Sequence, residues 1–152
     1  MNKVTIQKAD PHSIAAQKMM DALWEEIQNR YDFRAPCPFN AADFSGHNAC
    51  FWVASVNNEP AGSIAITPLS ATEAELDIMY VIPAARGSGL AHELLATLEQ
   101  FAEDKKMKVI KLRCGTPQPE ALSFYKKEGF KPAAAFGKWT KDDTALCFEK
   151  EL

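Results

Sequence analysis

The sequence predicts an α/β or α+β protein in which one mixed sheet carries helices on its faces. Three observations predict it. Strand-like runs and helix-periodic stretches interleave along the chain, in the order β-α-loop-β-β-β-α-β-α-β. No repeat, low-complexity linker or change of composition offers a place to divide the chain, so residues 1–152 read as a single domain. The 152 residues, 47% hydrophobic and 24% charged, have an ordinary globular composition and enough length to bury a core without disulfides or a metal.

Val4, Thr5 and Ile6 form a short first strand. Asp10-Pro11 predicts a helix start, with proline at the first helical position. From there Ala16, Met20, Leu23, Trp24, Ile27 and Tyr31 recur mostly at three- and four-residue steps, one apolar helix stripe. Residues 32–49 are weakly patterned and read as a loop with a short helix at 41–44, a length typical of lids and binding loops. Strands follow at 51–56 and 61–67, joined through Asn57-Asn58-Glu59-Pro60 as a hairpin. Residues 75–81 form the next strand, ended by Pro83. Leu90, Leu94, Leu95, Leu98 and Phe101 mark a second helix. A strand at 109–113, a third helix at 116–128 closed by Gly129, and a final strand at 144–149 complete the order.

Composition excludes several function classes. A net charge of −3 lacks the excess of basic residues that a nucleic-acid binder shows, so no nucleic-acid partner is expected. No stretch approaches the ~20 apolar residues of a membrane span, and residues 1–10 lack the apolar run of a signal peptide. No membrane association is expected, and the location is read as cytoplasmic. Cys37, Cys50, Cys114 and Cys147 form no CxxC pair and read as reduced thiols. With His12, His47 and His92 they show no metal-ligand spacing, so no metal is expected.

The chemistry lies in residues 75–91, ELDIMYVIPAARGSGLA. A strand ends at Val81, a turn carries Arg86-Gly87-Ser88-Gly89, and a helix begins near Leu90. Glycine lets backbone amides approach a ligand closely. The first helical amides have no internal partners, so with the helix dipole they form an anion site suited to phosphate. Arg86 is placed to add a charge-assisted contact. Without a ligand, the same residues simply make a tight strand-to-helix turn. A P-loop is excluded because Gly-Lys-Ser/Thr is missing. A dinucleotide fingerprint is excluded because His92 stands where a small residue is required, and the turn lies in mid-chain. A second segment, residues 116–130 (TPQPEALSFYKKEGF), reads as a helix entered at Pro119 and closed by Gly129. Phe130 there packs back on Phe124 or Tyr125, and Tyr125 by itself fits a core aromatic with a polar tip.

Together the two segments resemble the GNAT superfamily of N-acetyltransferases. Its Arg/Gln-x-x-Gly-x-Gly/Ala turn is met by Arg86, Gly89 and Ala91. Its Phe/Leu-Tyr-x-x-x-Gly-Phe helix end is met by Phe124, Tyr125, Gly129 and Phe130. The two occur in the family's order with one helix and one strand between them. The resemblance covers residues 51 to the end well, small bacterial members in particular, and the first fifty residues less well.

The resemblance implies a GNAT fold, a mixed central sheet with helices on both faces and a splayed pair of parallel strands at 75–81 and 109–113. It implies acetyl-CoA as cosubstrate. The pyrophosphate would rest on Arg86, Gly87, Ser88, Gly89, Leu90 and Ala91, and the pantetheine arm on the backbone of Met79, Tyr80 and Val81. Many family members carry an asparagine before the tyrosine helix. Here Thr116 or Gln118 stands in its place, and Gln118 is carried as a CoA contact.

A lysine-like amine, with an ordinary pKa of about 10.4, must lose a proton before it attacks a thioester. Glu75 and Asp77, two apart on a strand, share one face, and spacing does not choose between them. A solvated strand face accounts for them equally well. The resemblance favours Glu75, and Asp77 departs from the subgroup, in which a basic residue is frequent. Tyr125 matches the family's general acid, which protonates the leaving thiolate. An amide near Tyr80 or Val81 would hold the developing oxyanion.

His92 reads as a solvated helix residue and the charges at Asp104, Lys105, Lys106 and Lys108 as a solvated helix end, while Arg30, Arg34 and His47 fit a contact to an anionic substrate or the CoA 3′-phosphate but read first as surface charge. Trp139 fits either packing or an acceptor wall. The acceptor is expected to be a primary amine of a small molecule or peptide. Its pocket would be formed by the first helix, residues 32–49 and residues 133–143. A homodimer is expected from similar proteins. The alternative is a non-catalytic acyl-CoA-binding or regulatory module of the same fold, and the acyl chain is open.

Overall fold

The computed structural model describes residues 3–114, 119–140 and 146–152. The elements are β1 (Val4–Lys8), α1 (Ile14–Tyr31), β2 (Cys50–Val56), β3 (Glu59–Pro68), β4 (Glu73–Val81), α2 (Leu90–Asp104), β5 (Val109–Cys114), α3 (Pro119–Lys127), β6 (Lys131–Ala133) and β7 (Leu146–Glu151). Short 3-10 turns lie at Ala41–Phe44, Pro83–Ala85 and Gly137–Trp139. The turn at 41–44 stands where the sequence placed a short helix.

Seven strands form one sheet in the order β1-β2-β3-β4-β5-β7-β6. Neighbours are antiparallel except β4 and β5, which are parallel. The β2–β3 hairpin turns at Asn57 and Asn58, both at positive φ (51° and 69°). That geometry suits the strand twist, and asparagine tolerates it. The parallel pair needs a crossover, which α2 supplies.

Alternation along the strands divides the core into two. Trp52, Ala54, Ile64, Ile66 and Leu76 pack with Leu94, Leu95 and Leu98 of α2. Phe51, Val53 and Ala65 face the other way and pack with Ala16 and Met20 of α1 and with Phe44. The helices therefore cover both faces, as the sequence predicts, because successive side chains of a strand point to opposite sides.

One expectation is corrected, one strand is added, and two expected ends lie outside the described residues. The first helix starts at Ile14, not at Pro11. Ser13 is its N-cap and accepts from the Ala16 N–H at 3.2 Å. Asp10 instead accepts from the His12 N–H at 2.8 Å and holds 10–12 in a local turn. The strand β6 is an addition, a three-residue edge beside β7 too short to show a period. The third helix is described from Pro119, since 116–118 lie outside the described residues, as do 144 and 145 of the last strand.

Candidate active site

The site is built around an irregularity in β4. Ser63 pairs with Tyr80 and Ala65 with Asp77, so β4 carries one residue more than β3 between these points. The extra residue is absorbed at Ile78, whose φ of 52° is rare for a β-branched side chain. This bulge turns Ile78 onto the α1 side, away from Ala74 and Leu76. Side chains satisfy the backbone groups it displaces. The Asp77 Oδ1 accepts from the Ile78 N–H at 2.8 Å, and the fully buried Ser63 hydroxyl donates to the Ile78 carbonyl at 2.8 Å.

The ladder between β4 and β5 ends just before the bulge, at Glu75 opposite Lys111. Beyond it the two parallel strands splay. The edge of β4 facing β5 therefore has no ladder partner, and an open cleft begins there. The cleft is part of a cavity of about 1050 Å³, the size of a substantial ligand site.

At the end of β4 the chain passes through the 3-10 turn into Arg86-Gly87-Ser88-Gly89. Gly87 and Gly89 have φ of 81° and 86°, and Gly89 is the N-cap of α2 without a side-chain cap. A Cβ built on either glycine meets nothing within 4 Å. These glycines are thus required by conformation, and the space over them is open. The first amides of α2 have no side-chain cap and face this open space, the geometry an anion site requires.

The Arg86 side chain is placed differently from the expectation of a phosphate contact. Its Nε donates to the Val81 carbonyl at 2.9 Å, and a terminal nitrogen donates to Glu26 Oε1 at 2.6 Å. The guanidinium also lies 5.8 Å from the Tyr80 ring centre. Arg86 therefore ties the turn to β4 and to α1. A second tie across the cleft joins Arg30 of α1 to Glu120 of α3.

The carboxylates on the α1 side differ in environment. Glu75 is 7% exposed, and its Oε2 accepts from the Trp139 indole N–H at 3.0 Å. Asp77 is pushed up to about 6, first by burial and then by the Glu75 charge, against the opposing bond from the Ile78 N–H. Tyr125 is buried. Its hydroxyl is held well above the ordinary phenol value, chiefly by burial, with Cys114 and Asp77 adding to the effect. Its ring is fixed edge-on between Phe124 and Phe130, at 5.4 and 5.5 Å. The Phe130 contact is the one expected at this helix end.

The cavity brings together Glu75, Asp77, Met79, Tyr80, Val81, Arg86, Gly87, Gly89, Leu90, Ala91 and Tyr125. Ser88 does not line it; its hydroxyl donates to the Ala85 carbonyl at 2.5 Å. Gln118 lies outside the described residues. His92 lines the cavity and pairs with Glu128 at 2.7 Å. Among the described residues no cluster of His, Cys, Asp and Glu is able to hold a metal ion, and no helix is long and apolar enough to cross a membrane.

Sequence reasoning missed five contributors. Glu26 and Arg113 carry no motif, and Ser63 and the Ile78 bulge leave no periodic trace. Trp24 falls in the apolar stripe of α1 and reads as core, yet it lines the cavity.

Comparison with known proteins agrees with this geometry. The model of the acetyltransferase (GNAT) family matches residues 15–130. N-acetyltransferase 8B of Mus musculus is 33% identical over 110 residues, 67% of this chain and 47% of that protein. The chain thus spans about half the length of that relative. An IAA acetyltransferase of Azospirillum brasilense is 26% identical over the whole of both chains. The crystal structure of a GNAT acetyltransferase from Staphylococcus aureus Mu50 shares the fold at a TM-score of 0.82, with 99% of each chain covered and 17% identity. A GNAT acetyltransferase from Elizabethkingia anophelis, solved with acetyl-CoA bound, aligns at 0.70 over 98% of each chain with 16% identity. With the family model over most of the chain and the glycine turn, splayed strands and buried tyrosine in one cavity, the chain belongs to the GNAT acetyltransferase family.

Proposed function

We propose that this protein is an acetyl-CoA-dependent N-acetyltransferase that acts, as one domain, on a primary amine of a small molecule or peptide by direct attack. The carrying observation is convergence. The glycine turn, the unpaired edge of β4, two carboxylates and Tyr125 all open on one cavity. The residues present fit acetyl-CoA. Uncapped α2 amides and the open space over Gly87 and Gly89 suit the pyrophosphate, and the unpaired β4 edge at Met79–Val81 suits an extended amide-bearing arm.

When bound, acetyl-CoA supplies the thioester whose acetyl group is transferred. Asp77 accepts a proton from the acceptor ammonium, directly or through one water, so that the free amine attacks. Asp77 rather than Glu75 is assigned this role. Its affinity for protons sits near neutrality, and its charge is felt at Tyr125. Glu75 holds Trp139 through the indole N–H. Tyr125, kept protonated by burial, donates to the departing sulfur as the C–S bond breaks and the C–N bond forms. The second proton shed by nitrogen restores the phenol. Cys114 and His92 both line the cavity, but His92 Nδ1 is engaged by Glu128, which accords with direct transfer. Reduced cysteines suit the cytoplasm, the compartment this reading assigns.

The test is calorimetric titration with acetyl-CoA followed by thiol release against a panel of amines. Binding with amine-dependent release of CoA supports the proposal. Binding without release favours the non-catalytic module. Failure to bind overturns the reading of the turn.

A further inference from the structure

The end of the cavity beside Asp77 has a wall of unusual uniformity. The segment after α1 folds back on the helix. The Asp32 and Phe33 N–H groups both donate to the Gln28 carbonyl, and the Ala35 N–H donates to the buried Gln28 Oε1 at 2.9 Å. This return places Phe33 and Phe39 edge-on to Trp24, at 5.4 and 5.9 Å. Trp24, Phe33, Phe39 and Leu23 line the cavity. Phe39 and Leu23 also pack on the cluster that contains Ile78. The wall and the Ile78 bulge thus share one cluster on the α1 side of the sheet and one cavity with Asp77.

Most charged groups of this region are already paired, while the Tyr31 hydroxyl, which also lines the cavity, is buried with no hydrogen-bond partner among the described residues. The Trp24 indole N–H donates to the Ala35 carbonyl at 2.8 Å. Glu26 pairs with Arg86, Arg30 with Glu120 and His92 with Glu128. Glu75 is engaged by Trp139. On the Trp139 flank, cations gather. Arg113 and Lys138 lie 5.2 and 4.9 Å from that ring.

Resting on the N-acetyltransferase reading, we propose that the acceptor is a small primary monoamine bearing an aryl group. Its ring lies against Trp24, Phe33 and Phe39, and its ammonium points to Asp77. An aryl ring gains apolar burial and edge-to-face contact from this wall. A hydroxyl-rich acceptor could pair with the Tyr31 hydroxyl but would leave its other hydroxyls against apolar ring faces, a ground for rejection. A polyamine would bring a second ammonium toward Arg113 and Lys138. The cavity must also take acetyl-CoA, which keeps the acceptor small.

The test compares acetylation of 2-phenylethylamine, ethanolamine and spermidine by the wild type, Phe39→Ala and Phe33→Ala. Phe33 is 39% exposed, so its variant folds even if Phe39→Ala does not. The wild type is expected to favour 2-phenylethylamine by about tenfold or more in kcat/KM. Each variant that folds is expected to lose about fivefold or more on that amine and about twofold or less on ethanolamine. In the presence of CoA, 2-phenylethylamine is also expected to change tryptophan emission saturably, an effect removed by Trp24→Leu. Equal or better use of spermidine or ethanolamine overturns the acceptor class and leaves the N-acetyltransferase reading standing. CoA release with none of the amines, although acetyl-CoA binds, overturns both. Unchanged emission at millimolar amine overturns the aryl wall.

Discussion

At the residue scale, Asp77 and Tyr125 are opposite cases of one effect. Burial raises both affinities for protons, and in the proposed mechanism this poises Asp77 as the base and keeps Tyr125 protonated as the acid. Under saturating substrates, kcat should rise with pH through about 6 and level above it, and Asp77→Asn should remove this limb. The same shift predicts a stability change. The folded-state value lies above the ordinary one of 3.8, so the folded chain binds more protons between the two. The charged Asp77 therefore costs stability that is fully felt above pH 6 and vanishes below pH 4. Asp77→Asn keeps an acceptor for the Ile78 N–H and should be more stable than the wild type by roughly 1–2 kcal/mol at pH 7.5, with no gain at pH 3.5. Thermal melts at the two pH values decide it. For Tyr125→Phe, kcat should fall by about 10²–10⁴ while the dissociation constant for acetyl-CoA changes little. Calorimetry and steady-state kinetics separate these, and an unchanged kcat removes Tyr125 as the acid. Both residues were visible in the sequence as candidates. Their order of importance was not, because burial and the Trp139 bond to Glu75 come from distant segments.

At the element scale, the turn between β4 and α2 was the most legible part of the molecule. Two glycines close together at a strand end declare a backbone that leaves the ordinary region of φ. Gly87 and Gly89 do so, and the space over each is empty. Gly89→Ala thus meets no clash, but it forces a non-glycine residue to φ of 86°. The expected loss is about 1–3 kcal/mol of stability, read by chemical denaturation, together with weaker acetyl-CoA binding by calorimetry. Equal stability would show that the turn relaxes to another conformation. The bulge in β4 is the converse case. Nothing in ELDIMYV announces that Ile78 takes φ of 52°, because the compensating Ser63 hydroxyl lies on another strand. The helix start at Ser13 rather than Pro11 was a local ambiguity between two workable signals.

At the scale of the whole molecule, fold and cleft are coupled through Gly62. A Cβ there would stand 2.9 Å from the Tyr80 carbonyl and 3.1 Å from Leu94 Cδ1. Gly62→Ala should cost about 1–3 kcal/mol and should also weaken acetyl-CoA binding, since Tyr80 lies on the cleft wall. A melt and a titration on the same sample check it, and loss of stability with unchanged binding would uncouple the two. The sequence by itself determined the element order apart from β6, the mixed sheet with helices on its faces, the glycine turn and Tyr125 near the end of its helix. These depend on periodicity and on residues near one another in the chain, so they are written locally. Only the tertiary structure decided that Arg86 grips Glu26, that Glu75 is held by Trp139 while Asp77 accepts from the Ile78 N–H, and that the return of residues 33–39 makes an aromatic wall. Each of these brings together groups far apart in sequence, and such pairings exist only once the sheet has set its register and the helices have closed on its two faces.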